Sequence, residues 1–233
     1  NIFYILKYFW LFGTNEVCKL AEKCGARVIY ASTSEVYGSI RDDLPIGIPI
    51  KETEQSLSSM LTVRSPYLTS KKMGEEIVFA AIRRGISGCS MRLFNVVGPY
   101  MDAEVTGYGR VIPNFVDAVK ESRALPIYGT GEQTRCFLWI GDAVDAIVKL
   151  VDYDGTLPEV INIGHPEPVT IYSLAEKFQS LTNRQVGITY HPALPYEPKH
   201  RCPDISLAES VLGWQPKIGL DEIILKITEK EVK

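Results

Sequence analysis

A tyrosine and a lysine four residues apart, Tyr67 and Lys71, are the pair of side chains in this sequence best suited to chemistry. On a helix, residues at this spacing lie on one face, one turn apart. A nearby ammonium favours the phenolate and lowers the pKa of tyrosine from its usual value of about 10. Such a tyrosine can take a proton from a hydroxyl group while hydride leaves the same carbon. The spacing also occurs by chance on helices where both side chains face solvent, so its context matters.

The context comes from the segment that precedes the pair. Residues 27–32 (RVIYAS) read as a buried strand and run directly into Thr33, Ser34 and Glu35. In parallel α/β sheets, reactive groups gather at the carboxyl ends of strands. We therefore expect the Thr33 hydroxyl and the Glu35 carboxylate to lie near the helix that carries Tyr67. The alternative for Glu35 is a carboxylate that only caps nearby backbone amides.

The elements that must position these groups follow from the hydrophobic pattern. Strands and helices alternate, which predicts an α/β fold with a largely parallel sheet. A first helix should end at Gly25, a typical C-cap glycine, and Ser65 followed by proline predicts the start of the next helix. Residues 87–97 (SGCSMRLFNVV) then predict a strand. In the second half of the chain, Ser173 and Glu176 have the spacing of a capping box.

Composition and charge exclude several classes of protein. The 233 residues, 45% of them hydrophobic, can bury a substantial core. A net charge of −3 gives no general attraction to nucleic acid or to acidic membranes. The three histidines have no metal-ligand spacing, and five cysteines without a C-x-x-C pair favour a reducing compartment. The apolar first twelve residues are too short to span a bilayer. We expect a cytoplasmic protein without a metal.

The order of three motifs resembles one protein family. The motif at 32–38 (STSEVYG) follows the strand, Y-x-x-x-K comes next, and 92–99 (RLFNVVGP) ends the second strand. Together they resemble the extended short-chain dehydrogenase/reductases that act on nucleotide sugars, over essentially the whole chain. The resemblance implies a Rossmann-like, doubly wound parallel sheet with a smaller α/β substrate-binding lobe. It also implies NAD as the cofactor, a UDP-sugar substrate, and a homodimer formed through the helix of Tyr67 and the apolar helix before it.

The resemblance assigns roles to the first motifs. Thr33 would hydrogen-bond the sugar 4-hydroxyl, Tyr67 would be the base, and Lys71 would tune Tyr67 and hold the nicotinamide ribose. Ser34 and Glu35 would separate the subfamilies. Simple 4-epimerases usually lack the acidic residue, and glucose 4,6-dehydratases typically have Asp-Glu at this place. The pattern Thr-Ser-Glu is typical of UDP-glucuronate decarboxylases and also of GDP-mannose 4,6-dehydratases.

Later stretches favour the decarboxylases. Residues 109–115 (GRVIPNF), 127–137 (IYGTGEQTRCF) and 200–205 (HRCPDI) resemble the decarboxylase series of motifs. Two positions depart from that pattern. Tyr100 stands where an arginine commonly follows the Gly-Pro turn, and Cys202 stands where a lysine is common. These departures concern the exact reaction rather than the superfamily.

The same match implies the substrate-binding residues. Asn95 and Arg135 would hold the diphosphate, the arginine through charge-assisted hydrogen bonds. Arg201 would pair with the carboxylate of the sugar. The alternative for Arg135 and Arg201 is a surface salt bridge. The nucleoside pocket would be lined by Arg110, Val111 and Tyr128.

The glycine-rich motif that cradles the NAD pyrophosphate does not occur near the start of the sequence. We therefore expect residues 1–100 to be the C-terminal part of the NAD-binding domain, with the catalytic residues, and its first strands to lie upstream. Residues 101–233 should form mainly the sugar-binding lobe, with some segments returning to the first domain. A sheet without its first strands has an open edge and an uncovered apolar face. We expect a longer working protein, or a second chain that completes the sheet.

The leading hypothesis is an NAD-dependent lyase that converts UDP-glucuronate to UDP-xylose through a 4-keto intermediate. One alternative is another nucleotide-sugar 4-epimerase or 4,6-dehydratase, such as a GDP-mannose 4,6-dehydratase. The other is a non-catalytic remnant that binds sugar nucleotides without NAD.

Overall fold

The alternation of helices and strands predicted from the sequence is confirmed. The computed structural model describes residues 11–38, 48–54, 65–101, 110–194 and 197–231. Its α-helices are α1 (Gly13–Cys24), α2 (Ser65–Arg83), α3 (Val111–Lys120), α4 (Ile140–Asp152), α5 (Ile171–Thr182), α6 (Ser206–Leu212) and α7 (Leu220–Glu231). Its strands are β1 (Val28–Thr33), β2 (Gly88–Leu93), β3 (Val96–Val97), β4 (Leu125–Tyr128), β5 (Thr134–Arg135), β6 (Leu138–Trp139), β7 (Val160–Ile163), β8 (Val169–Thr170), β9 (Ile188–His191) and β10 (His200–Arg201). A 3-10 helix, Ser34–Tyr37, follows β1 directly.

β1, β2 and β7 form a parallel sheet in that order. Helices cover both of its faces, as a doubly wound fold requires. On one face α1 and α2 pack against β1, and on the other face α4 and α6 pack against β2 and β7. The strand β7 and the helices α4 and α6 all lie after residue 139 in the sequence. The chain therefore returns to this sheet after leaving it. The division of the chain at residue 100 stays a prediction.

A second core lies among α3, α5, α7 and β4. Its centre is an edge-to-face pair of Phe115 and Phe178, with ring centroids 5.4 Å apart. Among the described residues, the strands also form three smaller pairings. They are the parallel pair β4-β9, the parallel pair β3-β6, and the sheet β10-β5-β8, in which β10 runs parallel to β5 and β8 runs antiparallel to it.

Local signals placed most helix ends correctly, with one exception. The helix α1 ends at Gly25, which has φ 63° and a left-handed conformation, as predicted. The capping box expected at Ser173 is wrong. The helix α5 begins at Ile171, and its cap is Thr170, whose Oγ1 accepts a hydrogen bond from the Ser173 amide at 3.0 Å. Ser173 is therefore the third residue of the helix, the position that the glutamate of a capping box occupies.

Some apolar surface is exposed in the described part of the chain. Val17 and Leu20 on α1 are 55% and 61% exposed, and Val148 and Val151 on α4 are about as open. Within the described ranges, β1 pairs only with β2, so its other edge carries no partner strand. None of the helices in these ranges combines the length and the apolar character that a membrane span needs.

A close approach between α2 and β1 sets the distance between helix and sheet. A methyl group added at Gly74 would lie 2.1 Å from the Tyr30 hydroxyl oxygen. Tyr30 is buried against α2, and its hydroxyl donates to the Lys71 carbonyl at 3.4 Å. Only glycine at position 74 leaves room for this ring.

We expect Gly74→Ala to lower the free energy of unfolding by about 1–3 kcal/mol, because overpacking forces the helix away from the strand. Urea denaturation measures this change. Gly13→Ala is the matched control, since no atom lies within 4 Å of the added methyl group. The control should be neutral or slightly stabilising through helix propensity. Equal stabilities of the two variants would contradict the prediction.

Candidate active site

The turn after β1 brings three candidate residues to the carboxyl end of the sheet. Thr33 ends the strand and caps the 3-10 helix, and its Oγ1 accepts a hydrogen bond from the Glu35 amide at 3.3 Å. Thr33 and Ser34 are buried, whereas Glu35 is half-buried. Gly38 closes the turn with φ 57°, a conformation that glycine adopts readily. The sequence TSE thus forms a compact turn whose backbone is internally bonded.

The helix α2 packs against both β1 and this turn. Lys71 is 4% exposed, and its Nζ donates to the Ala31 carbonyl at 2.7 Å. The same ammonium lies 6.0 Å from the ring centroid of Tyr67, which is 38% exposed. Burial lowers the pKa of Lys71 to about 8. The lysine is therefore a cation close to the phenol at neutral pH, and it approaches neutrality in mildly basic solution.

Two buried arginines lie side by side on neighbouring strands. Arg135 on β5 and Arg201 on β10 are paired in register, and each is less than 10% exposed. Arg135 donates from one Nη atom to the Glu197 carboxylate at 2.7 Å and from the other to the Thr134 carbonyl at 2.7 Å. Arg201 lies within 3.4 Å of the Gly38 carbonyl, where the 3-10 turn ends. The pair thus puts positive charge directly beside that turn.

Glu197 is a residue that the sequence analysis missed. It lies 62 positions after Arg135, and no local pattern links a carboxylate at that separation to an arginine. Only the pairing of β5 with β10 brings the two together. An anionic ligand at Arg135 would have to share the guanidinium with this carboxylate.

Asn95 lies close to the two arginines. It follows β2 with a positive φ of 36°, and its Nδ2 donates to the Cys136 carbonyl at 2.8 Å. Tyr128 ends β4 and stacks on the ring of His191, with centroids 5.1 Å apart. Arg110 is exposed at the start of α3, and among the described residues its side chain makes no hydrogen bond or ion pair.

The predicted residues therefore form three groups. The first group is the 3-10 turn with α2, and the second is the arginine pair with Asn95. The bond from Arg201 to the Gly38 carbonyl connects them. The third group belongs to α3 and β4, which pack together, and the Tyr128 carbonyl accepts a hydrogen bond from Gln133, two residues before Arg135, at 2.8 Å. Its members are Arg110, Val111 and Tyr128.

Beneath the turn lies a buried polar network that the sequence analysis also missed. Its members are Glu75, Arg92, Tyr37 and Asn162. One signal could have pointed to it, since Tyr67, Lys71 and Glu75 follow one another at intervals of four on one face of α2.

Comparison with known proteins identifies relatives of the chain. Residues 9–164 match the family described as "NAD dependent epimerase/dehydratase family". The chain is 37% identical over 211 residues to UDP-glucuronic acid decarboxylases 5 and 3 of Arabidopsis thaliana, which covers 90% of the chain and 59% of each relative. It is 34% identical to UDP-glucuronic acid decarboxylase 1 of Danio rerio, over 90% of the chain and 48% of that protein. The chain thus spans about three fifths, or less, of the length of these relatives.

Solved structures share the fold. The UDP-glucose 4-epimerase of Thermotoga maritima, solved with UDP-glucose, superposes with a TM-score of 0.83 at 25% identity. That match covers 96% of this chain and 69% of the epimerase. The protein MoeE5, solved in complex with UDP-glucuronic acid and NAD, superposes with a TM-score of 0.79 at 25% identity over 94% of this chain and 69% of its own.

The lowered pKa of Lys71 predicts a pH dependence of stability. Between pH 8 and 10.5, the unfolded chain binds a proton that the folded chain does not, so the free energy of unfolding rises with pH across this window. Below pH 8 the cost of burying the charge is fully present. We expect wild type to gain on the order of 2 kcal/mol relative to Lys71→Met between pH 7.5 and 10.5.

Urea denaturation at three pH values within this window measures the effect. Lys217→Met is the control, because the Lys217 side chain is 71% exposed. The stability difference between this control and wild type should stay flat. A flat difference for Lys71→Met as well would show that burial does not shift the lysine.

Proposed function

The chain belongs to the NAD dependent epimerase/dehydratase family, and we propose that it forms the catalytic and sugar-binding part of an enzyme that decarboxylates UDP-glucuronate to UDP-xylose. The observation that carries this proposal is the contact of the buried Arg201 with the turn of Thr33 and Glu35. A buried cation beside a proton-transfer site suits a sugar that bears a carboxylate. The identity of 37% to UDP-glucuronic acid decarboxylases supports the same choice.

The first chemical task is to remove the proton of the sugar 4-hydroxyl. In the proposed mechanism Tyr67, as phenolate, accepts this proton, and the Thr33 hydroxyl orients the 4-hydroxyl by a hydrogen bond. Lys71 lowers the cost of the phenolate, since its ammonium is anchored on the Ala31 carbonyl 6.0 Å from the phenol ring. Thr33 at the end of β1 and Tyr67 and Lys71 on α2 are thus held by two elements that pack against each other.

The residues present fit one end of NAD. Lys71 and Tyr67 lie at the carboxyl end of β1, where they would hold the nicotinamide ribose. The glycine-rich motif for the pyrophosphate is not part of these 233 residues. NAD, when bound, supplies the hydride acceptor at C4 of the sugar and later the hydride donor.

The second task is the loss of CO₂. With a ketone at C4 the sugar would be a β-keto acid, so the bond from C5 to the carboxylate can break with its electrons moving toward the ketone. The enolate left behind would take a proton from solvent at C5 before C4 is reduced. Arg201 would orient the carboxylate through charge-assisted hydrogen bonds until it leaves. Arg135 and Asn95 would hold the diphosphate, which competes with Glu197 for the Arg135 guanidinium. Arg110, Val111 and Tyr128 would line the nucleoside pocket.

A homodimer through α1 and α2 is part of the proposal. The exposed apolar side chains of Val17 and Leu20 on α1 and Met73 on α2 would be buried by a second copy. Light scattering of the purified protein should give the mass of two chains. A monomer at micromolar concentration would contradict the proposed dimer but not the proposed reaction. The cytoplasmic location stays a prediction.

The decisive assay incubates the native protein, purified with its cofactor, with UDP-glucuronate and follows CO₂ and UDP-xylose. Tyr67→Phe should reduce turnover about a thousandfold, because general base catalysis supplies a factor of this order. Glu35→Gln should also reduce turnover. Tyr172→Phe, an exposed tyrosine on α5, is the control that should keep full activity.

Other outcomes of the same assay identify the alternatives. Conversion of UDP-glucose to its 4-epimer without CO₂ release would establish an epimerase, a reaction supported by the fold shared with the Thermotoga maritima enzyme. A dehydrated 4-keto sugar from a UDP-, GDP- or dTDP-hexose would establish a 4,6-dehydratase. Binding of UDP-sugars without bound NAD and without any product would establish a non-catalytic protein.

A further inference from the structure

We propose that Glu75 is a positioning residue: acting through Ser32 and Arg92, it holds the turn of Thr33 and Glu35 and the helix of Tyr67 and Lys71 at the spacing that proton transfer needs. This inference rests on the proposed function for its catalytic meaning. Its structural part, the coupling of Glu75 to the turn, can be tested without turnover.

Glu75 ties the helix to the strand at the residue before Thr33. It lies two turns after Tyr67 on the same face of α2 and is 2% exposed. The Ser32 hydroxyl donates to its Oε1 at 2.5 Å. One residue earlier, the Ala31 carbonyl accepts from the Lys71 ammonium at 2.7 Å. Two consecutive residues of β1 are therefore bonded to two consecutive turns of α2, immediately before the strand delivers the Thr33 hydroxyl.

Arg92 braces Glu75 from the neighbouring strand. It lies opposite Ser32 in the parallel register of β1 and β2. Its Nε donates to Glu75 Oε1 at 2.9 Å and its Nη2 to Oε2 at 2.8 Å, so the guanidinium and the carboxylate form a two-pronged pair. Burial opposes the charge on Arg92, yet the hydrogen bonds to Glu75 raise its pKa above the ordinary value. The planar fork fixes the orientation of both side chains, which a point charge would not do.

The network continues from Arg92 into the 3-10 turn. The Arg92 guanidinium carbon lies 4.7 Å from the ring centroid of Tyr37, two residues after Glu35. The Tyr37 hydroxyl donates to Asn162 Oδ1 at 2.8 Å, and Asn162 Nδ2 donates to the Ile50 carbonyl at 2.9 Å. Burial raises the pKa of Tyr37 to about 12, so the hydroxyl remains a donor throughout the neutral range. The turn is thus held from below by a chain that begins at Glu75.

Stability alone does not explain a buried ion pair at this place. Desolvation of two charges offsets much of their attraction, and apolar residues of similar volume are often as stable or more so. What the pair adds is a fixed orientation. Glu75 bonds to Ser32, next to Thr33, and Arg92 contacts the ring of Tyr37 in the turn that holds Glu35. Glu75, Tyr37 and Asn162 are each at most 2% exposed, so they act through other residues rather than on the sugar. A displacement of about 1 Å between reacting groups can cost about a hundredfold in rate.

The test compares Glu75→Gln and Arg92→Lys with wild type in the native protein with its cofactor. Glu75→Gln should lower kcat about 30-fold and leave KM for the UDP-sugar within about twofold, because binding groups stay in place while the reacting groups lose their spacing. Hydrogen exchange of the amides in residues 33–37 should rise about tenfold or more as the turn loosens. Arg92→Lys should behave alike, since lysine keeps the charge but not the fork.

Two further variants separate positioning from general destabilisation. Asp142→Ala removes a buried acceptor of the Lys217 and Ile218 amides, which belong to a segment without a hydrogen bond to residues 33–37 among the described contacts. It should lower the melting temperature without changing kcat or the exchange of residues 33–37. Tyr37→Phe keeps the ring beneath Arg92 and removes the hydroxyl that bonds to Asn162, so it should fold and lower kcat about fivefold.

The outcomes separate the two proposals. If Glu75→Gln is less stable but keeps the wild-type kcat and wild-type exchange in residues 33–37, Glu75 is merely structural and the inference is wrong. A rise in KM alone would overturn it as well. If wild type turns over no UDP-sugar, the proposed function fails, and unchanged exchange in Glu75→Gln would still overturn the positioning claim independently.

Discussion

The contact of α2 with β1 is the constraint on which the rest of the site depends. The helix approaches the strand so closely that position 74 must be glycine, with the Tyr30 hydroxyl in the space of its missing side chain. At this distance the Lys71 ammonium reaches the Ala31 carbonyl and Glu75 reaches Ser32. A helix displaced outward by a methyl group would lose both bonds, and with them the fixed spacing between Tyr67 on the helix and Thr33 at the end of the strand.

A second constraint is the return of the chain to its first sheet. β7 pairs with β2 and brings Asn162 beneath the 3-10 turn, while β10 pairs with β5 and brings Arg201 against the carbonyl that ends it. Parallel strands require long crossovers, so residues that meet here are more than a hundred positions apart. The turn of Thr33 to Gly38 is therefore supported by α2, by β2 and by two strands from the second half of the chain.

The electrostatics follow from this arrangement. Arg92 is satisfied by Glu75 within the core, whereas Arg135 shares its charge with the half-exposed Glu197 and Arg201 faces the turn. The charge of Arg92 is thus neutralised within the core, whereas Arg201 brings positive charge to the turn. The lowered pKa of Lys71 also follows from the packing, because burial disfavours its charged form.

The sequence by itself determined the α/β class, the strand leading into Thr33, the helix of Tyr67 and Lys71, and the family. These features depend on local chemistry, namely apolar strands, glycine and proline at element ends, and i, i+4 spacing. Only the tertiary structure decided that Thr170 rather than Ser173 caps α5, that Arg135 pairs with Glu197, and that Glu75, Arg92, Tyr37 and Asn162 form one network. The reason is that strand pairing places Thr170 at the end of β8, where the helix begins, and joins the other residues across long stretches of the chain, which no local pattern specifies.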